Sequence, residues 1–264
     1  FQLMDWFKGN PKKHSTVYDS NQKIFMVEEL LNLLIICATE HGYASGTTIE
    51  QRIRRAIVQH LSRTNLSYSE LTKLIPGSLI ECESCEAELN KIANFRAPDG
   101  LSDKGMYELK PEYLDEIDPY FWYYTRNNRE EAHIALRKRW NQLHPEKQVS
   151  DKEEFLVQPK PRTIQTGPFQ HLGNFLHSKI FTQILVYALW NAKMFKQAKS
   201  ETILDEALYL GMLAVNDPNH TEANFFKHAV EDEYAIQVNE IEKTHANLVT
   251  VLLRCMDDDQ LSHI

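Results

Sequence analysis

Cys82-Glu-Ser-Cys85 has a spacing that could hold a metal ion or cycle between dithiol and disulfide. A structural zinc site needs four ligands in a tetrahedron. The chain has no second CxxC, and Cys37 and Cys255 are distant in sequence. A redox pair would need a thiol with a depressed pKa. Glu81, Glu83, Glu86 and Glu88 surround this one and push the other way. Cys85 also falls on the apolar side of a predicted helix, so the pair reads as small core residues. The eleven histidines are scattered. Sequence alone leaves a Cys–His or Ser–His–Asp arrangement open, but Gly-x-Ser-x-Gly, His-Glu-x-x-His, the P-loop and Gly-x-Gly-x-x-Gly are all absent. No self-contained active site, cofactor or metal is expected.

The totals agree with a non-enzymatic reading. The chain has 264 residues, 42% hydrophobic and 25% charged, which suits a soluble globular protein of one or two domains. A net charge of -8 argues against bulk attraction to nucleic acid or an anionic membrane. Four cysteines without a framework spacing point to the cytoplasm or nucleus. The chain opens on Phe1 without a signal-like segment, which suggests a fragment. Two apolar stretches, 26–38 and 169–192, are too short or too interrupted by polar residues to span a membrane. Both read as core helices.

These residues must be held by a set of short elements. Residues 1–23 read as extended or irregular. Ile24–Glu40 is a helix apolar nearly all round, expected inside a larger assembly. Thr48 with Gln51 forms a capping box, followed by Ile49, Ile53, Ala56, Ile57, His60 and Leu61 at helical spacing. Ser67 with Glu70 forms another, with Leu66 and Leu71 as a hydrophobic staple, and that helix stops before Pro76-Gly77. A third helix is predicted over 84–94, with Cys85, Leu89, Ile92 and Ala93 on one face. Phe95 leads into turns at Pro98-Asp99-Gly100 and Asp103-Lys104-Gly105. Tyr107 then lies in a short predicted strand, Met106–Leu109. Helix, capped short helix, helix and hairpin is the order of a winged helix.

The stretch from Gly100 to Arg126 reads as the wing. Its aromatic run, with Tyr120, Phe121 and Trp122, is expected to bury large side chains and fix the wing against the helices. Leu71, Leu89, Ile92, Phe95, Gly100, Gly105 and Tyr107 complete the expected structural set. Arg126–Leu143 is a charged helix, residues 144–168 a proline-containing linker, and helices are predicted over 169–192, 201–216, 223–233 and 234–256. In the last of these Ile236, Ile241, Leu248, Val251, Leu252 and Cys255 are core candidates.

The fold class is therefore mainly α: a winged-helix domain with a short β-hairpin wing, flanked by helical segments. The domains are a helical lead-in at 1–43, the winged helix at 44–125, the charged helix and linker at 126–168, and a helical domain at 169–264. A winged helix can bind DNA through its third helix, but here that helix starts with four glutamates and would face phosphate with like charge. The first helix carries Arg52, Arg54, Arg55 and Arg63, a basic face that could serve DNA or an acidic protein.

Several stretches resemble the UBR-box N-recognin ubiquitin ligases. Met26-Val-Glu-Glu-Leu-Leu-Asn-Leu-Leu-Ile35 is similar to the helix that precedes their winged helix, and Tyr68-Ser-Glu-Leu71 through Ile75-Pro76 to its second helix. Lys91-Ile-Ala-Asn-Phe95, Gly100 and Gly105-Met-Tyr-Glu-Leu-Lys110 match the most distinctive part, followed by Tyr120-Phe-Trp-Tyr-Tyr124. The likeness is strong over 24–126 and weak after about residue 195. It implies a parent E3 of the N-degron (N-end rule) pathway that recruits a ubiquitin-conjugating enzyme (E2). The E3 promotes ubiquitin transfer to substrate lysines for proteasomal degradation.

The resemblance also implies zinc in a UBR box and a RING of the parent. The present chain has too few cysteines to supply either, so it is expected to be an internal, non-catalytic segment between them. Its partners would be other domains of the same chain and, through the parent, the E2 and N-degron substrates. Two alternatives stand beside this: a protein-binding module for an internal degron or adaptor, using Arg52, Arg54 and Arg55, and a DNA-binding winged helix.

Overall fold

The computed structural model describes residues 3–7, 18–100, 103–149, 157, 159, 164, 167–194, 200–217, 224–238 and 242–256. Its helices are α1 (Met4–Phe7), α2 (Ser20–Thr39), α3 (Ile49–Leu61), α4 (Tyr68–Leu74), α5 (Gly77–Ile80), α6 (Ser84–Ile92), α7 (Arg126–Leu143), α8 (Lys179–Met194), α9 (Glu201–Asn216), α10 (Phe225–Glu231) and α11 (Leu248–Met256). Two antiparallel hairpins complete it, β1 (Ala93–Arg96) with β2 (Met106–Leu109) and β3 (Tyr234–Gln237) with β4 (Lys243–Ala246). The chain divides into two compact units, residues 42–157 and residues 1–41 with 158–264. The lead-in and the C-terminal segment, separate in the sequence reading, thus belong to one unit.

In the 42–157 unit, both expected capping boxes form, Thr48 with Gln51 and Ser67 with Glu70. Ile53, Ile57 and Leu61 of α3 meet Leu71 of α4, Leu79 of α5, and Cys85, Leu89 and Ile92 of α6 in one core. The third helix ends at Ile92, two residues sooner than predicted. Ala93 and Asn94 are instead strand residues, paired with Leu109 and Glu108. Leu66, expected only as half of a staple, also pairs through its backbone with Tyr107, at 2.8 and 3.3 Å, and so flanks β2. Gly100 has φ +104°, which favours glycine. Gly105 lies against the Phe95 ring, which would be 2.5 Å from any added Cβ.

The aromatic run departs from expectation. It does not belong to the hairpin: a 3-10 turn at Pro111–Glu116 intervenes, and Thr125 then caps α7 in a box with Asn128. Tyr120, Phe121 and Tyr124 are buried, whereas Trp122 and Tyr123 are exposed and lie ring to ring at 3.8 Å. Five consecutive aromatics in a turn cannot all point inward, because the backbone sends neighbouring side chains in different directions. Phe95 is likewise exposed, so neither it nor Trp122 is a core residue.

In the other unit, α2 starts at Ser20, capped by Asp19 and Gln22, not at Ile24. Its buried stripe is Val27, Leu31, Ile35 and Ala38, while Phe25 and Leu33 are exposed, so the helix is not buried all round. Residues 4–7 are helical where an irregular lead-in was expected. The helix predicted over 169–192 begins only at Lys179, after a 3-10 turn at Leu172–His177. The helix predicted over 234–256 is the β3–β4 hairpin followed by α11. Tyr234 and Ile236 are buried with Ala235 exposed between them, a period of two that only a strand satisfies. Leu248 and Val251 are buried, Leu252 and Cys255 are half-buried, and Ile241 lies outside the described residues. No helix of the described residues is long and apolar enough to cross a membrane.

Candidate functional site

The basic face of α3 is where the sequence placed a partner site. It runs along the segment between the hairpin and α7. Arg54 forms an ion pair with Glu116, its Nε donating to Oε2 at 3.0 Å, and its guanidinium lies 4.8 Å from the Tyr113 ring centre. The next residue, Arg55, pairs with Asp118 at 2.9 Å over the Phe121 ring. Arg63 pairs with Glu131 at 3.3 Å and lies over Tyr124. Arg52 is partly buried on the same helix. Arg54 and Arg55 are therefore engaged within their own unit, and a partner using them would have to displace these acids.

Gln59 is the centre of this arrangement and was missed by the sequence reading. Its Nε2 donates to the Glu116 carbonyl at 2.8 Å, and its Oε1 accepts from the Asp118 N–H at 2.8 Å. Its own backbone carbonyl accepts from the Tyr124 hydroxyl. A buried polar residue inside an apolar helical stripe must find such partners, which is the signal that could have marked it. Burial pushes the Tyr124 hydroxyl up to about 12 and keeps it a donor throughout the physiological range. Burial, with the Arg63 charge second, lowers His60 to about 4, so His60 is neutral beside Phe121, edge-on at 5.9 Å. Arginines over ring faces, a glutamine between two backbone groups and neutral buried aromatics can hold a segment in place. They contain no nucleophile activated by a base.

The remaining chemical candidates also resolve into structure. Cys85 is in the core, and burial, then Cys82 and Glu86, push its thiol up. Cys82 packs partly buried beside it. In the other unit, His177 meets Asp217 at 2.8 Å, with both side chains buried. Such a dyad could serve a nucleophile, but His177 Nε2 is taken up by Asp217, and its Nδ1 has no hydrogen-bond partner among the described residues. The pair ties the end of the 3-10 turn to the end of α9. No group of three or more His, Cys, Asp or Glu among the described residues could hold a metal ion.

With this geometry in view, comparison with known proteins decides the kinship. Residues 52–151 match the winged-helix domain of UBR1-like E3 ubiquitin-protein ligases. Nearly the whole chain, 89% of it, aligns at 31% identity with the E3 ubiquitin-protein ligase ubr1 of Schizosaccharomyces pombe. The chain belongs to the UBR1/UBR2-like family. Human UBR2 is 28% identical over 90% of the chain, and UBR1 of Saccharomyces cerevisiae 24% identical over 80%. All three are E3 ubiquitin-protein ligases by name. The aligned part is small in each relative, at 12%, 13% and 11% of its length.

Proposed function

We propose that this chain is a non-catalytic structural segment of a RING-type E3 ubiquitin ligase of the N-degron pathway. Its task is to hold substrate-recognition and ubiquitin-transfer parts of the longer protein at a productive separation. The observation that carries this reading is the clamp on α3. The charged and aromatic side chains of the basic face are turned onto the unit's own Pro111–Tyr124 segment, which stiffens it. In RING-type transfer the acceptor lysine attacks a thioester on the E2, and the ligase contributes proximity and orientation. A rigid spacer suits that role. The proposed parent carries zinc in its UBR box and RING, works with an E2 and N-degron substrates, directs products to the proteasome, and acts in cytoplasm and nucleus.

The test is substrate ubiquitination by the full-length ligase carrying Leu71→Asp. Leu71 is 1% exposed in the winged-helix core, and a charge there has no partner. Ubiquitination of an N-degron substrate should collapse, and Leu71→Ala, costing about 2–5 kcal/mol, should lower it in proportion to lost folding. Normal rates with this unit demonstrably unfolded would contradict the proposal.

A further inference from the structure

The hairpin presents a second surface, which does not depend on the scaffold reading. Phe95 and Tyr107 are cross-strand partners with ring centres 5.1 Å apart, and Tyr107 lies 6.5 Å from Tyr68 at the start of α4. Phe95 is 57% exposed and Tyr68 47%, so two of these three adjoining rings are largely open to water. Isolated exposed apolar residues are ordinary, but adjoining aromatic rings are the side chains that anchor protein interfaces.

The charge around the rings is one-sided. Tyr107 packs against the core that holds Cys85, and its hydroxyl is pushed up by burial and then by the charge of Glu86, the residue after Cys85 on α6; Glu83 precedes Glu86 by about one turn on the same side. Both are exposed and carry no ion pair among the described residues. The nearby cations are occupied or face elsewhere. Lys91 pairs with Glu88 at 3.3 Å, and Lys104 lies 3.9 Å from Glu70. Lys110 donates to the Asn90 carbonyl at 3.1 Å, at the end of α6. Arg96 is one residue from Phe95 and so on the opposite face of the hairpin, 4.0 Å from Asp103. Lys73 is five residues from Tyr68 and so on another side of α4. A phosphate backbone would meet carboxylates on this face, whereas a guanidinium or ammonium finds ring faces to lie over and carboxylates to pair with. β1 is an outer strand, so an extended segment can run beside it.

We propose that the Tyr68–Tyr107–Phe95 face, bordered by Glu83 and Glu86, docks an extended Lys/Arg-bearing segment of a partner protein. One cation lies over the rings and another pairs with the α6 carboxylates.

The test titrates the whole chain with a short synthetic peptide alternating Arg and Thr, and separately with its Glu-for-Arg counterpart and with duplex DNA, read by amide chemical shifts and calorimetry. The Arg peptide should shift Tyr68, Glu86, Phe95 and Tyr107. The doubly substituted E83R/E86R chain should bind it about tenfold more weakly, the loss of roughly one charge-assisted contact. Phe95→Ala should also weaken binding, by about three- to tenfold. All these positions are exposed, so circular dichroism should show a native fold in each variant. Shifts spread over the other acidic surfaces, an unchanged affinity in E83R/E86R, or tighter binding of the Glu peptide or of DNA would overturn the proposal.

Discussion

The two units use polar groups differently, although each buries some, Gln59 and His60 in the 42–157 unit among them. The 42–157 unit has an apolar core of α3, α4, α5 and α6, and its arginines lie outside that core, over the rings of Tyr113, Phe121 and Tyr124. The other unit has polar contacts embedded in its apolar packing. Trp190 of α8 is 2% exposed and donates from Nε1 to the Gln237 carbonyl at 2.7 Å, and the buried Asn191 donates to the Trp6 carbonyl at 2.6 Å. His177 and Asp217 are buried together. The contrast teaches that charge on a helix face does not by itself mark a partner surface. On α3 it closes a segment of the same chain, while in the second unit the polar contacts act as keys within apolar packing.

This difference sets the order of mutational effects. Trp190→Ala should be the largest, removing a buried ring, its hydrogen bond and the surface under Arg254, at about 3–5 kcal/mol. Chemical denaturation of the whole chain should show it. Trp6 reports on the same unit, and Trp122 and Trp140 on the 42–157 unit. The first signal should move to lower denaturant while the second stays, and a common shift would erase the distinction between units.

Gln59→Leu comes next. It leaves the Asp118 N–H and the Glu116 carbonyl without their partner and should cost roughly 2–4 kcal/mol in the 42–157 unit alone. Hydrogen exchange should then speed up at Asp118, Phe121 and Tyr124, and an unaltered exchange pattern would remove Gln59 from the clamp.

Near neutral pH the smallest effect is that of pH itself, which grows only on the acid side. His60 falls from an ordinary 6.5 to about 4 in the folded protein, and burial lowers His133 as well. Between these values the unfolded chain binds more protons than the folded one. The His60 contribution is therefore complete above about pH 6.5 and is lost as pH falls towards 4, at up to about 1.4 kcal/mol per pH unit, and His133 acts in the same direction. His60→Leu should flatten the acid side of the stability profile of this unit. A profile as steep as the parent's would assign the acid sensitivity elsewhere.

Much of the 42–157 unit was legible because its signals are local. The two capping boxes and the spacing of Ile53, Ile57 and Leu61 specify helices within a few residues of chain. Met106–Leu109 was legible as a strand between turn residues, but its partner Ala93–Arg96 was not, because a helix-compatible stretch becomes a strand only by pairing across the turn. The clamp was hidden for the same reason: Gln59 and Asp118 are 59 residues apart. Arg54 and Arg55 were visible as a charged face, and nothing local reveals that Glu116 and Asp118 meet them. In the other unit, the alternation of Tyr234 and Ile236 was overridden by the apolar run that follows, so a hairpin and a helix were read as one element.

The most direct test of the scaffold account is a single-turnover transfer assay with the full-length ligase proposed above, comparing the unaltered protein with Gln59→Leu. Ubiquitin is discharged from a loaded E2 either to the lysine of a bound N-degron substrate or to free lysine in solution. The account predicts that Gln59→Leu slows transfer to the bound substrate by about tenfold or more, since positioning is what the segment contributes, and leaves discharge to free lysine unchanged. An equal loss with both acceptors, or no loss with either while hydrogen exchange shows the clamp open, would contradict it.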